Sequence, residues 1–418
     1  MTKMIYSKYF LFLCFFTVTT IVQGLFVPET SFQTRIDGLE VKNPRNLTEA
    51  IAITNLIIDQ LMVQQALPSL VFGISIHNKT IHRNASGLID IENSVPASLN
   101  AMYRMASVTK TFTVTMIGTL IESGKLSFDD SIYKHLPKGV FPPKIVNGKL
   151  VDITVGQVLS HMAGLHATNS ADFFNITFPE TSTQSLNLHR DEPLYFEPGT
   201  DFTYSNYGYQ LLGAIIENKT GLPYADSMNA FMKNTLKLSD GSKIENYDTM
   251  TSGHFRPRYY RQNATGYNEN IPVGVYDDAL LSTGIWAAGG LLSNVDDLLA
   301  YGNLLIDSYH SRPNSILKKE TLLKIWTERT RKAPHFIKPN NQYGYGWFIF
   351  HMAENASEIR HRDFVWHSGG LIGATTFLII YPQEEIVAVA MVNKGYVNAL
   401  DILCIDAAEL MYDFVPKN

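Results

Sequence analysis

A chain of 418 residues, 45% hydrophobic and 17% charged, carries enough apolar material for a large core, which excludes disordered and collagen-like classes. Its 34 basic and 39 acidic residues leave a net charge of -5, without the strong basic bias that a nucleic-acid binder needs. That length fits two or three domain-sized units, or one large enzyme fold with an insertion.

The first residues differ from the rest. Lys3 and Lys8 precede an apolar run from Tyr9 to Val22, and Val22-Gln-Gly24 offers small residues for cleavage. Positive, apolar, then small is the order of a secretory signal peptide, here residues 1–24. The run is short for a membrane span of about 20 residues, so an uncleaved anchor is the alternative. The leader predicts a secreted chain or one in the secretory lumen, with no membrane contact unless the leader is kept. Residues 25–47 then form an N-terminal extension. Cys14 leaves with the leader, so Cys404 remains alone in the apolar Ile402-Leu-Cys-Ile405 and reads as a buried, inert thiol. Seven N-x-S/T sequons, at Asn46, Asn78, Asn84, Asn175, Asn218, Asn263 and Asn355, are glycosylation candidates on that route.

Apolar spacing near 3.6 predicts a helix over 48–66. Ser69 to Ile76 reads as a strand, with Thr80 to Leu88 its hairpin partner. A long helix runs from Thr109 to Ser123 and stops at Gly124. From Lys125 to about Ser282 the text changes to short helices and Pro-Pro or Pro-Gly turns, including a capped helix over 153–160. Strands return late: Tyr343 to Phe350, Phe364 to His367, Ala374 to Tyr381 and Ile386 to Val392. A helix from Asn398 to Tyr412 closes the chain. Strands at both ends with helices between predict an α/β (α+β) fold, an antiparallel sheet flanked by helices with an inserted helical domain. The catalytic domain would span 48–415, its α/β part 48–124 and 286–415, and its helical insertion about 125–285.

Three strings in fixed order carry the chemistry: Ser107-Val-Thr-Lys110, Tyr204-Ser-Asn206 and His367-Ser-Gly369. A hydroxyl and an amine three apart on a helix share a face. Ser107 opens an apolar helix, whose free N–H groups favour an oxyanion, and apolar neighbours such as Met105 and Phe112 would desolvate Lys110 into a base. Tyr204 adds a proton carrier and Asn206 an amide. His367-Ser-Gly-Gly370 sets a donor beside accessible backbone. Read singly, Ser107 is also a helix N-cap, Tyr204 a packing residue and His367 a turn or packing histidine. Ser131/Lys134 and Ser315/Lys318 repeat the first spacing among charged or loop-like neighbours, and Tyr301 and Tyr396 repeat the second. Lys219-Thr220-Gly221 looks like the third string yet fits a helix C-cap.

The ordered set resembles the serine β-lactamase and penicillin-binding superfamily, in its class C-like, esterase-like branch. Leu159-Ser-His-Met-Ala-Gly-Leu165, Phe196-Glu-Pro-Gly-Thr200, Ala288-Gly-Gly-Leu-Leu-Ser293, Tyr343-Gly-Tyr-Gly-Trp347 and the Trp286-Ala-Ala-Gly-Gly290 segment extend the likeness over about 50–415. The resemblance implies Ser107 as acylated nucleophile, Lys110 as its proton acceptor and Tyr204 as relay. Asn206 would bind the substrate amide, and His367 stands where lysine is usual. Gly370 would pair with the Ser107 N–H in an oxyanion hole, with Ser368 and Gly369 beside it. The expected function is a serine hydrolase that acts on small ester or peptide substrates. A catalytically silent binding or assembly protein on the same fold is the alternative. No H-E-x-x-H, paired-cysteine spacing or phosphate loop occurs, so neither metal nor cofactor is expected.

Overall fold

The computed structural model describes residues 44–167, 179–245, 256–262, 270–272, 285–330, 341–351 and 362–416. The leader, the extension to residue 43 and the sequons at Asn175, Asn263 and Asn355 lie outside them.

Apolar runs that are buried on both faces require a sheet with helices on either side, and the late strands have that character. Eight strands form it: β1 (Ser69–Ile76), β2 (Lys79–Asp90), β3 (Val95–Pro96), β4 (Asn341–Tyr343), β5 (Phe348–Phe350), β6 (Phe364–Leu371), β7 (Ala374–Tyr381) and β8 (Ile386–Val392). Their order is β4-β5-β6-β7-β8-β1-β2-β3, and the pairings are antiparallel. The two ends of the chain meet at β1 and β8, from Leu70 opposite Val392 to Ile76 opposite Ile386.

Period-two alternation sorts the strand residues into two cores. Leu70, Phe72, Ile74, Ala388, Ala390 and Ile379 face α1 (Leu47–Gln64) and α5 (Leu400–Met411), where Cys404 is fully buried. Val71, Val387, Val389, Met391, Leu378 and Ile380 face the larger core with α2 (Thr109–Glu122), α3 (Asn206–Thr220) and α4 (Val295–Tyr309). Burial pushes the Cys404 thiol well above its ordinary pKa. Among the described residues, no helix is long and apolar enough to cross a membrane.

One expected strand is two. Tyr343 to Phe350 folds as the hairpin β4–β5, with Asn341 opposite Phe350. The glycines at 344 and 346 interrupt the run: Gly346 takes φ +71°, and Tyr345 N–H turns away to Ile325 O. The short helix Val155–Leu159 carries a Thr154–Gln157 capping box, and Gly221 caps α3 in the left-handed conformation at φ +75°.

Candidate active site

The segment that presents Ser107 begins at Tyr103–Arg104, which pairs with Leu291–Ser293. A single 3-10 turn, Ala106–Val108, follows before α2 starts at Thr109. Ser107 therefore lies inside that turn; the N-cap position belongs to Val108. Ala106 takes φ +46°, a left-handed conformation that a residue with a Cβ adopts at a cost of about 1–3 kcal/mol. The turn is held from three directions. Thr109 Oγ1 donates to Ala106 O at 2.6 Å and accepts from Leu291 N–H, while Thr376 of β7 donates to Arg104 O at 3.0 Å.

Arg104 is anchored in turn. It makes a bidentate ion pair with Glu245, at 2.8 and 2.9 Å, and its guanidinium covers the Tyr259 ring; Arg256 also contacts Glu245. Nothing in the local sequence of either residue signals this pair, because its members lie far apart in the chain.

Lys110 is fully buried. Its Nζ lies 3.2 Å from Ser107 Oγ, 2.7 Å from Asn206 Oδ1 and 2.8 Å from Ala288 O. The rings of Tyr204 and Tyr209 wall it in, at 4.7 and 5.3 Å to their centroids. Burial holds its pKa well below the ordinary lysine value. Ser205 is the N-cap of α3, and its side chain accepts from Gly208 N–H, so Tyr204 is the last residue before the cap and Asn206 the first of the helix. The Tyr204 phenol hydrogen-bonds with Ser107, while burial pushes its pKa up, and it stays protonated near neutral pH. The fold thus gathers Ser107, Lys110, Tyr204 and Asn206, which are separated by as many as 99 positions, around one point.

The third string sits differently. Pairing of β6 with β5 ends at Trp366, so among the described residues Ser368–Leu371 has no strand on that edge, and the Ala106–Val108 turn packs there instead. Gly369 permits the approach, since a Cβ on it would stand 2.1 Å from Met105 O. Gly370 is exposed with open space around it. His367 points inward, at 1% exposure. Its Nδ1 lies 2.6 Å from Ser368 O and its Nε2 3.3 Å from the Tyr343 hydroxyl. Burial is the chief cause of its pKa being lowered to about 3. This histidine therefore carries no charge near neutrality, because desolvation of an imidazolium outweighs its hydrogen bond.

His161 entered the sequence reading only within the Leu159–Leu165 string, with no role assigned to it. The structure places it against the site: its ring centroid is 4.2 Å from that of Tyr204 and 5.0 Å from that of Tyr343. Its Nδ1 accepts from Ser205 N–H at 3.1 Å, and its backbone takes φ +60°. The repeated spacings stay apart from the site. Ser131 bonds to Asp152, Lys134 to Asp130, Ser315 to backbone carbonyls, and Tyr301 is buried against Phe112 with its hydroxyl on Thr115.

The Beta-lactamase family matches residues 55–410. The serine beta-lactamase-like protein LACTB, mitochondrial, of Bos taurus is 26% identical over 84% of this chain and 75% of its own length. The octameric penicillin-binding protein homologue from Pyrococcus abyssi superposes with a TM-score of 0.73 at 25% identity, covering 87% of this chain and 77% of its own. The hydrolase EstCE1 gives 0.70 at 22% identity, over 87% and 99%, and shares the fold. The secreted address predicted from the leader is corrected here, since the LACTB relatives are mitochondrial proteins. The reading of the sequons loses its support with that route. With its fold and nearly its whole described length matched, this chain belongs to the Beta-lactamase family.

Proposed function

We propose that this chain is a serine hydrolase that cleaves small ester or amide substrates through an acyl-enzyme on Ser107. One observation carries the reading: the bond pattern of Lys110. A neutral amine has two N–H groups and one lone pair. In that form the two shorter contacts, to Asn206 Oδ1 and Ala288 O, would use the N–H groups and leave the lone pair to take the Ser107 proton across 3.2 Å. Burial favours that neutral form.

In the proposed reaction Ser107 Oγ attacks the substrate carbonyl carbon as its proton passes to Lys110 Nζ. The carbonyl π electrons move to oxygen, where the N–H groups of Ser107 and Gly370 would receive them. Collapse breaks the bond to the alcohol or amine, which takes a proton through the Tyr204 phenol. Water, deprotonated by the same groups, then attacks the acyl carbon and releases Ser107. His367 is neutral and turned toward Tyr343, so it offers no cation to a substrate carboxylate. The substrate is accordingly one that does not depend on an anionic tail at that position. The mitochondrial address of the LACTB relative supports the same compartment for this chain.

Purified protein treated with a fluorophosphonate probe should be labelled at Ser107, mapped by mass spectrometry, and Ser107→Ala should lose the label. Labelling at another serine removes Ser107 from the role. Absence of label, together with no turnover of any p-nitrophenyl ester or peptide amide, favours a silent binding protein on this fold.

A further inference from the structure

Three side chains outside the proposed catalytic groups converge on one point at the base of α3. His166 Nδ1 lies 2.6 Å from one carboxylate oxygen of Glu192, and His189 Nδ1 lies 2.8 Å from the other. The two imidazoles are stacked, with centroids 3.6 Å apart and planes within 9°. Both histidines are largely buried, at 9% and 15% side-chain exposure, while Glu192 at 41% opens the cluster to solvent. One candidate ligand atom from each residue lies within 4.8 Å of the others.

We propose that His166, His189 and Glu192 bind a borderline divalent cation of the zinc class. Two imidazoles and one carboxylate are a donor set suited to Zn²⁺ or Co²⁺, with solvent as the remaining ligand on the exposed side. Bond lengths of about 2.0–2.2 Å set tetrahedral ligand separations near 3.3 Å, so the present contacts open by roughly 0.5 Å and the rings turn out of their stack. Each Nδ1–H proton passes through solvent to the Nε2 of its own ring as Nδ1 takes the metal, and any excess proton leaves to water. The surrounding backbone is already fixed. Lys144 Nζ donates to the carbonyls of Arg190 and Glu192, at 2.5 and 2.6 Å, and the edge of the His189 ring rests on Tyr207.

The position gives the ion a purpose. His166 O accepts a 2.6 Å hydrogen bond from the Ser205 hydroxyl, and Ser205 caps α3 between Tyr204 and Asn206. A metal that joins His166 to His189 and Glu192 ties the segment after the Leu159–Leu165 string to the helix start that aims both residues at Ser107. The sequence hid this set, because His166 and His189 lie 23 positions apart and match no metal-ligand spacing.

Chelator-treated full-length protein titrated with Co²⁺ alone should develop visible d–d absorption with one equivalent per chain, and Zn²⁺ should abolish it. Glu192→Gln and His189→Ala should each weaken binding at least tenfold. Lack of such absorption, or unchanged affinity in both variants, overturns the site. If neither variant folds, the wild-type chain decides: Zn²⁺ should protect His166 and His189 from diethyl pyrocarbonate, and equal modification with and without Zn²⁺ overturns the proposal. Fluorophosphonate labelling of the same samples reports on Ser107 separately, so the two readings fail independently.

Discussion

Lys110 Nζ stands closer to Asn206 Oδ1, at 2.7 Å, than to Ser107 Oγ, at 3.2 Å. The asparagine orients the amine, so its loss should act through the lysine. Lys110→Met removes the proposed proton acceptor and should slow fluorophosphonate labelling by about 10²–10⁴-fold. Asn206→Leu should give a smaller loss while the protein stays folded. Labelling of Lys110→Met at the wild-type rate would exclude the amine as the base.

Gly369 and Gly370 separate packing from exposure. Gly369→Ala places a methyl group 2.1 Å from Met105 O, against backbone rather than a mobile side chain. It should displace the turn that carries Ser107, lower stability by about 1–3 kcal/mol and abolish labelling. Gly370→Ala meets nothing within 4 Å and should unfold within about 0.5 kcal/mol of wild type. Urea titrations of both variants check this; equal stabilities would show that β6 and the turn are not in contact.

Two buried histidines make the fold acid-sensitive. His367 has its pKa lowered from 6.5 to about 3, and His161 is also held well below its ordinary value, each chiefly by burial. The unfolded chain binds these protons first. The contribution of His367 is therefore full above about 6.5 and is lost as pH drops toward 3, by up to about 1.4 kcal/mol per pH unit, and His161 acts in the same direction. Melting temperatures from pH 7 to 4.5 should fall less steeply for His367→Gln than for wild type. Parallel curves would refute a buried neutral His367.

The Arg104–Glu245 pair lies directly behind the turn that carries Ser107, with side chains 1% and 8% exposed. Glu245→Ala leaves a buried guanidinium with much of its compensation gone and should cost about 3–5 kcal/mol. The double variant Arg104→Met with Glu245→Leu should recover most of that loss. Denaturant midpoints of the single and double variants decide; a Glu245→Ala protein as stable as wild type would show the pair to be dispensable.

The regular elements were legible where short-range patterning sets them. β1 spans Ser69–Ile76 as expected, and α2 starts at Thr109, because alternation and 3.6-residue spacing are local properties. The hairpin β4–β5 was misread as one strand, since its aromatic text has strand composition and only the glycine backbone breaks it. Residue types and chain order also picked out Ser107, Lys110, Tyr204 and Asn206 as candidates, and the motifs identified the family.

Alone, the sequence determined the kinds of chemical group present and the segments that form strands and helices. The tertiary structure decided protonation and access: Lys110 is buried, His367 is turned inward and neutral, His161 lies against Tyr204, and His166 meets His189 and Glu192. Those properties depend on desolvation and on contacts between segments distant in the chain. Such energies are set by what surrounds a side chain in space, and neighbours along the chain carry little of that information.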